Sequence, residues 1–198
     1  LDGPNAKEDA DGFQDLDGCL HPDNDDDGVP DAMDECGNFA ETKNGYQDED
    51  GCPDVGEDAD EDGIPDDEDD CDNQRESYND QKDFDGCSEM ASSLVKITKT
   101  EIRLRAEVKF KDDGTIQPDK GQKALRALAN GLKNWVSMMK IDVVYTDADQ
   151  TRAKKRADAI KAYLVAQGVE AKRLDAKAAV KGEDDDEGVS FTIVEGPR

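Results

Sequence analysis

The chain has 198 residues and a formal net charge of −26, spread very unevenly. Residues 1–90 hold 34 Asp and Glu against 4 Lys and Arg, whereas residues 91–198 hold 17 acids and 21 bases. An acidic front half argues against nucleic acid and anionic lipid as partners, because both need Lys and Arg, and so few aromatics predict disorder unless cations supply the missing cohesion.

No run of about eighteen apolar residues exists, so no membrane-spanning helix is expected. Leu1 opens neither the basic nor the apolar region of a leader, which points to a mature protein or an excised fragment. The five cysteines all fall in the acidic half, at 19, 36, 52, 71 and 87. Regular spacing in a segment without an oily core predicts a disulfide framework and an oxidising compartment. Zinc is disfavoured, since there is no Cys-x-x-Cys pair and His21 is the only histidine.

The acidic half repeats itself. "GPNAKEDADGFQDLDGC" (3–19), "CGNFAETKNGYQDEDGC" (36–52) and "CDNQRESYNDQKDFDGC" (71–87) share one register. Two loops, "DNDDDGVPDAMD" (23–34) and "DADEDGIPDDED" (58–69), share another. Such repetition means small stacked units, none able to bury a face alone. Each loop carries Asp at positions 1, 3, 5, 9 and 12 and Gly at position 6, the pattern of a calcium loop. The expected ligands are Asp23, Asp25, Asp27, the Val29 carbonyl, Asp31 and Asp34, then Asp58, Asp60, Asp62, the Ile64 carbonyl, Asp66 and Asp69. Pro30 and Pro65 hold the residue before them extended, which limits the freedom of those carbonyls. Position 12 is Asp where EF-hands use Glu, so its shorter arm binds through one oxygen or recruits water or a neighbouring carboxylate. Asp15, Asp17, Asp48, Asp50, Asp83 and Asp85 are candidates for further ions shared between repeats. In this reading calcium replaces apolar burial as the organiser of the segment.

Two disulfide connectivities fit. The register pairs Cys36 with Cys52 and Cys71 with Cys87, leaving Cys19 over because Gly3 stands at its partner's place. The rival joins Cys19 to Cys36 and Cys52 to Cys71, clipping the calcium loops and freeing Cys87.

On its DxDxDGxPD and DGC elements, the segment 1–87 resembles thrombospondin type 3 repeats, aspartate-rich calcium modules also found in bacterial envelope proteins. The first domain is therefore expected over residues 1–90, as a calcium-organised, disulfide-linked array with little regular secondary structure.

The grammar changes at 88–92, and residues 91–198 are expected to form a second domain. Ile102, Leu104, Ala106, Val108 and Phe110 alternate with polar residues, predicting a half-buried strand, and Asp112, Asp113 and Gly114 predict a turn. Pro118 precedes a helix with Leu125, Leu128, Leu132 and Trp135 or Val136 on one face, Trp135 being read as core. "KIDVVYT" (140–146) reads as a buried strand. Residues 151–167 read as a helix burying Ala153, Ala157, Ile160 and Leu164 and stopped by Gly168. "LDAKAAV" (174–180) and "VSFTIV" (189–194) read as two final strands. The βαβαββ order predicts an α+β sandwich with helices on one sheet face.

Strand, helix, "YTD", basic helix, "YLVAQGVEAKRL" and two closing strands together resemble the OmpA-like domain, over about 95–196 and best over 143–175. The resemblance implies a Gram-negative envelope, periplasmic or outer-membrane associated, peptidoglycan as ligand and an outer-membrane segment upstream. It also implies that Asp147 and Arg156 hold the amino and carboxylate groups of a peptide stem, for which an Arg–carboxylate contact is suitable chemistry. The sequence departs from the family at Val144 and Tyr145, where Gly-His is usual, and at Arg152 and Ala153, where Leu-Ser is usual. The Asp147–Arg156 loop is short, and "KGEDDDEG" replaces a connection with arginines. Against the stem-binding roles stand ordinary ones: Asp147 as a turn or helix-cap residue, and Arg156, with Lys154 and Lys155, as a solvated helix face. Asp184, Asp185 and Asp186 read as a surface loop.

No nucleophile–base pair, phosphate loop or open metal site with a base is present, so a non-enzyme is expected. One function is a calcium-stiffened stalk carrying a domain that anchors to peptidoglycan. The alternative is an adhesive or assembly protein whose OmpA-like domain docks onto another envelope protein and binds no glycan.

Overall fold

The computed structural model describes residues 21–54, 56–89, 92–136, 140–182 and 185–195. The chain divides into two compact units, Leu1–Gly56 and Glu57–Arg198. Composition changes at 88–92, but the packing boundary lies at 56/57, because the second calcium-type loop and its repeat pack with the carboxy-terminal elements. Residues 21–54 and 56–89 contain turns and bends and no helix or strand.

In the second unit, β1 (Val95–Thr98) and β2 (Glu101–Leu104) form an antiparallel hairpin that sets Ile97 opposite Ile102. Then follow α1 (Lys120–Asn134), β3 (Lys140–Asp147), α2 (Gln150–Ala166), a 3₁₀ turn (Ala171–Arg173), β4 (Leu174–Val180) and β5 (Gly188–Glu195). The second sheet has the order β4-β3-β5, with β3 parallel to β4 and antiparallel to β5. The α+β expectation holds, with one strand added at the front. The strand expected from Ile102 to Phe110 stops at Leu104, and Phe110 makes only an isolated bridge to Ile116 around the turn at 111–114. Alternation told which side chains face inward, since Ile102 and Val108 are buried. It could not tell whether a neighbouring strand is present to extend the ladder.

Both helices start on aspartate caps. Asp119 accepts from the Gly121 and Gln122 amides, and Asp149 from those of Thr151 and Arg152, meeting N–H groups with no partner inside the helix. Leu125, Leu128 and Leu132 of α1 and Ala153, Ala157, Ile160 and Leu164 of α2 are fully buried against Ile141 and Val143 of β3. Trp135 closes α1 and is buried as expected. The buried Arg173 donates to the carbonyls of Leu132 (2.8 Å) and Trp135 (2.6 Å), satisfying helix-end acceptors and fixing the end of α1.

Candidate functional site

The two aspartate loops have the same internal wiring. Carboxylate oxygens of Asp23, Asp25 and Asp27 lie within 4.8 Å of one another, as do those of Asp58, Asp60 and Asp62. Position 1 accepts from the glycine amide, Gly28 to Asp23 at 3.1 Å and Gly63 to Asp58 at 2.9 Å. Position 5 accepts from position 7, Val29 to Asp27 at 2.6 Å and Ile64 to Asp62 at 2.8 Å, which fixes the peptides next to the two expected carbonyl ligands. Position 9 closes the loop through the amide of position 2, Asn24 to Asp31 and Ala59 to Asp66. Position 12 accepts from the following cysteine amide, Cys36 to Asp34 and Cys71 to Asp69.

What the wiring leaves over bears on metal binding. Asp23 Oδ1, Asp25 Oδ2, Asp34 Oδ2 and both oxygens of Asp60 are buried without a hydrogen-bond partner among the described residues. Burial, with neighbouring carboxylates adding to it, pushes the carboxyls of Asp34 and Asp62 up to about 6. Asp34 feels the charges of Asp25 and Asp27, and Asp60 feels that of Asp69. Unpaired buried carboxylates are costly, and an all-oxygen, multiply charged donor set suits a hard divalent cation and not zinc. The residues therefore fit calcium, which would neutralise the cluster and occupy its open oxygens.

The DGC elements lock each repeat onto its loop. Gly51 and Gly86 have φ of +75° and +71°, and a Cβ there would lie 2.2 Å from Asp34 Oδ1 and 1.9 Å from Asp69 Oδ1. Only glycine meets both demands. Beside them the Glu35 amide donates to the Asp50 carbonyl and the Asp70 amide to the Asp85 carbonyl. The disulfides follow the repeat register, Cys36–Cys52 and Cys71–Cys87, with Cα–Cα distances of 5.0 and 5.2 Å. The rival connectivity fails where it can be followed, because Cys52 and Cys71 are not joined. Asp15, Asp17 and Cys19 lie outside the described residues, as does Asp184.

Asp48 and Asp83, candidates for further ions, staple turns. Asp48 accepts from the amides of Asn44 and Gly45, and Asp83 from those of Asn79, Asp80 and Gln81. Asp50 and Asp85 accept from the Cys52 and Cys87 amides. Two glutamates that did not stand out in the sequence occupy equivalent places. The Glu41 amide donates to Asp27 Oδ2 (2.8 Å) and the Glu76 amide to Asp62 Oδ2 (2.6 Å), and all four of their carboxylate oxygens are buried without a hydrogen-bond partner among the described residues. Their shared position, five residues after a repeat cysteine, was the available signal.

The second loop is also fastened to the α+β elements of its own unit. The Tyr78 hydroxyl donates to the Asp62 carbonyl, and the Leu94 amide donates to the Tyr78 carbonyl. Asn134 reaches the Tyr78 hydroxyl and the Asp83 carbonyl, and Asn130 reaches Asp83 Oδ2. Arg126 grips Asp80 with two nitrogens. Sequence offered no sign of the bonds made by Arg126, Asn130 and Asn134, which join residues 46 to 56 positions apart.

Asp147 and Arg156 are brought together, at 3.0 Å, but not alone. Asp147, at the end of β3, is wholly buried. Arg152 holds both of its oxygens, the Asp149 amide donates to Oδ1, and Arg156 donates to Oδ2. The Arg152 hydrogen bond first, then the Asp149 amide and the two guanidinium charges, lower the Asp147 carboxyl to about 2. Arg156 also donates to Glu187 and the Tyr145 hydroxyl, and lies 5.2 Å from the ring centres of Phe110 and Tyr145. It is thus not a simple solvated cation, and Asp147 is more than a cap. Arg152 completes a closed ionic cluster around Asp147.

No family model matches the chain, and no curated protein matches it. Among solved structures it is similar to the OmpA-like domain of FopA1 from Francisella tularensis, at 16% identity and TM-score 0.38 over 52% of this chain and 82% of that one. It is also similar to an outer membrane protein of Borrelia burgdorferi, at 21% identity and TM-score 0.40 over 50% and 94%. A third is the peptidoglycan-associated lipoprotein of Burkholderia pseudomallei, at 18% identity and TM-score 0.34 over 43% and 86%. Likenesses at this level carry no argument about what the chain does.

Proposed function

We propose that this chain is a structural calcium-binding protein of a bacterial envelope, in which ions organise the acidic repeats. The observation that carries the reading is the matched pair of loops whose buried aspartate oxygens, Asp25 Oδ2 and both of Asp60 among them, have no hydrogen-bond partner among the described residues. Asp23, Asp25, Asp27 and Asp34, and Asp58, Asp60, Asp62 and Asp69, would hold the ions with the carbonyls of Val29 and Ile64. Calcium would supply the cohesion that a core supplies elsewhere. Small-angle scattering of the full chain before and after EDTA tests this. Expansion on chelation, reversed by added calcium, is the expected result, and an unchanged profile refutes it.

For the carboxy-terminal domain, the closed Asp147 cluster favours docking onto a protein partner over direct binding of a peptidoglycan stem. A stem amine would have to displace Arg152 from both oxygens of Asp147. Wall anchoring keeps one observation in its favour, the direct Asp147–Arg156 contact. Co-sedimentation with purified sacculi separates the two. Protein docking predicts that the unaltered chain stays in solution. Sedimentation that disappears in Asp147→Ala and Arg156→Ala establishes wall anchoring instead.

A further inference from the structure

The sheet of the carboxy-terminal elements ends on an open strand. β4 pairs with β3 over seven residues, from Ile141 opposite Leu174 to Asp147 opposite Val180, and its other edge meets no described strand. The Lys181 amide donates to the Asp147 carbonyl on the β3 side. Successive peptide groups of a strand point alternately to its two sides, so the amides and carbonyls of Ala176 and Ala178 face the open edge. Edges are ordinarily blunted by proline, by a bulge, by a very short strand or by lysine. β4 is seven residues long, with no proline and no break in register. Its one lysine, Lys177, is drawn back over the sheet by Asp142 of β3, at 2.6 Å.

The same edge borders a groove. Lys154, Lys155 and Asp158 of α2 and Ala176, Lys177 and Ala178 of β4 line a volume of about 810 Å³. Ala176 and Ala178 stand opposite the buried Val143 and Tyr145, on the helix-covered face of the sheet, and are only half-buried. Their small side chains leave the groove unfilled. A strand added to β4 would turn every second side chain into it. The charge it would meet there is positive, three lysines against one aspartate. Lys155 is held only by the uncharged Asp113 carbonyl, at 3.0 Å, and Lys154, paired with Asp158, stays half-exposed.

We propose that the β4 edge, with the lysines of α2 beside it, is a docking surface for an extended acidic segment of a partner protein, which adds to the sheet as a fourth strand. The open main-chain groups of Ala176 and Ala178 supply the pairing, and Lys154 and Lys155 select for acid. This deepens the docking reading of the carboxy-terminal domain and rests on it. A second copy of the chain is the poorer occupant, because pairing across a two-fold axis sets the lysines of this edge against one another.

The probe is a fluorescein-labelled octapeptide alternating Glu and Val, read by fluorescence anisotropy against the full chain in calcium-containing buffer. An octapeptide alternating Gln and Val is its neutral counterpart. The chain carries −26 overall and repels the acidic peptide at long range, so preference for that peptide requires a local match. The acidic peptide is expected to bind at least tenfold more tightly than the neutral one. Lys154→Glu with Lys155→Glu is expected to weaken it at least tenfold, and N-methylation of the peptide's amides, which keeps its charge, to abolish binding. No binding by the unaltered chain, or binding that survives either change, overturns the surface. Self-association abolished by Ala178→Pro, with the peptide ignored, assigns the edge to a second copy instead. Sedimentation with sacculi that depends on Asp147 and Arg156 removes the docking reading itself, whereas a chain that stays in solution and ignores the peptide loses this edge alone.

Discussion

Gly63 lies directly beneath the indole of Trp135: a Cβ on Gly63 would meet Trp135 Cδ1 and Nε1 at 2.6 Å. The sixth position of the second loop is thus also a packing position of α1. Gly28, its counterpart in the first loop, has nearly the same φ (+96° against +94°) with nothing within 4 Å of where its Cβ would be.

This pair separates two costs of losing the glycine. Gly28→Ala is expected to cost about 1 kcal/mol, the left-handed penalty alone. Gly63→Ala adds overpacking against the indole and is expected to cost about 2–4 kcal/mol in all. Denaturant unfolding of the two variants measures the difference, and equal losses would show that the Trp135 contact carries no weight.

Trp135 is the only tryptophan in the chain, and its buried Nε1 has no hydrogen-bond partner among the described residues. Its emission is expected to change when calcium fills the Asp58–Asp69 loop. Asp60→Asn, which removes charge at the carboxylate with two open oxygens, is expected to weaken that response at least tenfold in calcium concentration. A titration curve identical to the parent's contradicts this.

The Cys71–Cys87 disulfide closes a 16-residue separation in the unit that contains the α+β elements. Replacing both cysteines with serine is expected to lower stability by about 3 kcal/mol, chiefly by freeing the unfolded chain. Calorimetry in calcium-containing buffer checks it, and a variant as stable as the parent would mean that the metal sites alone constrain the repeat.

Asp147 predicts a pH dependence of defined sign. Its carboxyl lies at about 2 in the folded protein, below the ordinary 3.8. The stabilisation it provides is therefore fully present above about pH 4 and lost as pH falls toward 2. Allowing for the half-exposed Arg152, it amounts to roughly 1–2 kcal/mol. Arg152→Ala is expected to lose much of this at pH 7 and to approach the parent near pH 2. A stability gap that stays constant from pH 7 to pH 2 rules the assignment out.

Much of this protein was legible in its sequence because the information is local. The DxDxDGxPD spacing places three carboxylates around one turn, and the loops have that geometry. The DGC glycines and the cysteine register indicated which cysteines could meet, and alternation and helical period located most strands, both helices and their inward faces. The burial of Glu41 and Glu76 was visible only as a recurring position, because burial is a property of the surroundings and not of the residue.

Tertiary structure alone decided the rest. Composition divides the chain near residue 90, but the second repeat packs with α1, since Tyr78, Asp80 and Asp83 find partners in Asn134, Arg126 and Asn130. The pairing of Asp147 with Arg156 was expected from the sequence, but the third member that closes it, Arg152, follows from one helical turn placing both guanidinium groups over a single buried carboxylate. Local pattern determines where a ligand or a turn can form. Which charges neutralise one another depends on what the fold brings within about 3 Å, and no spacing rule along the chain encodes that distance.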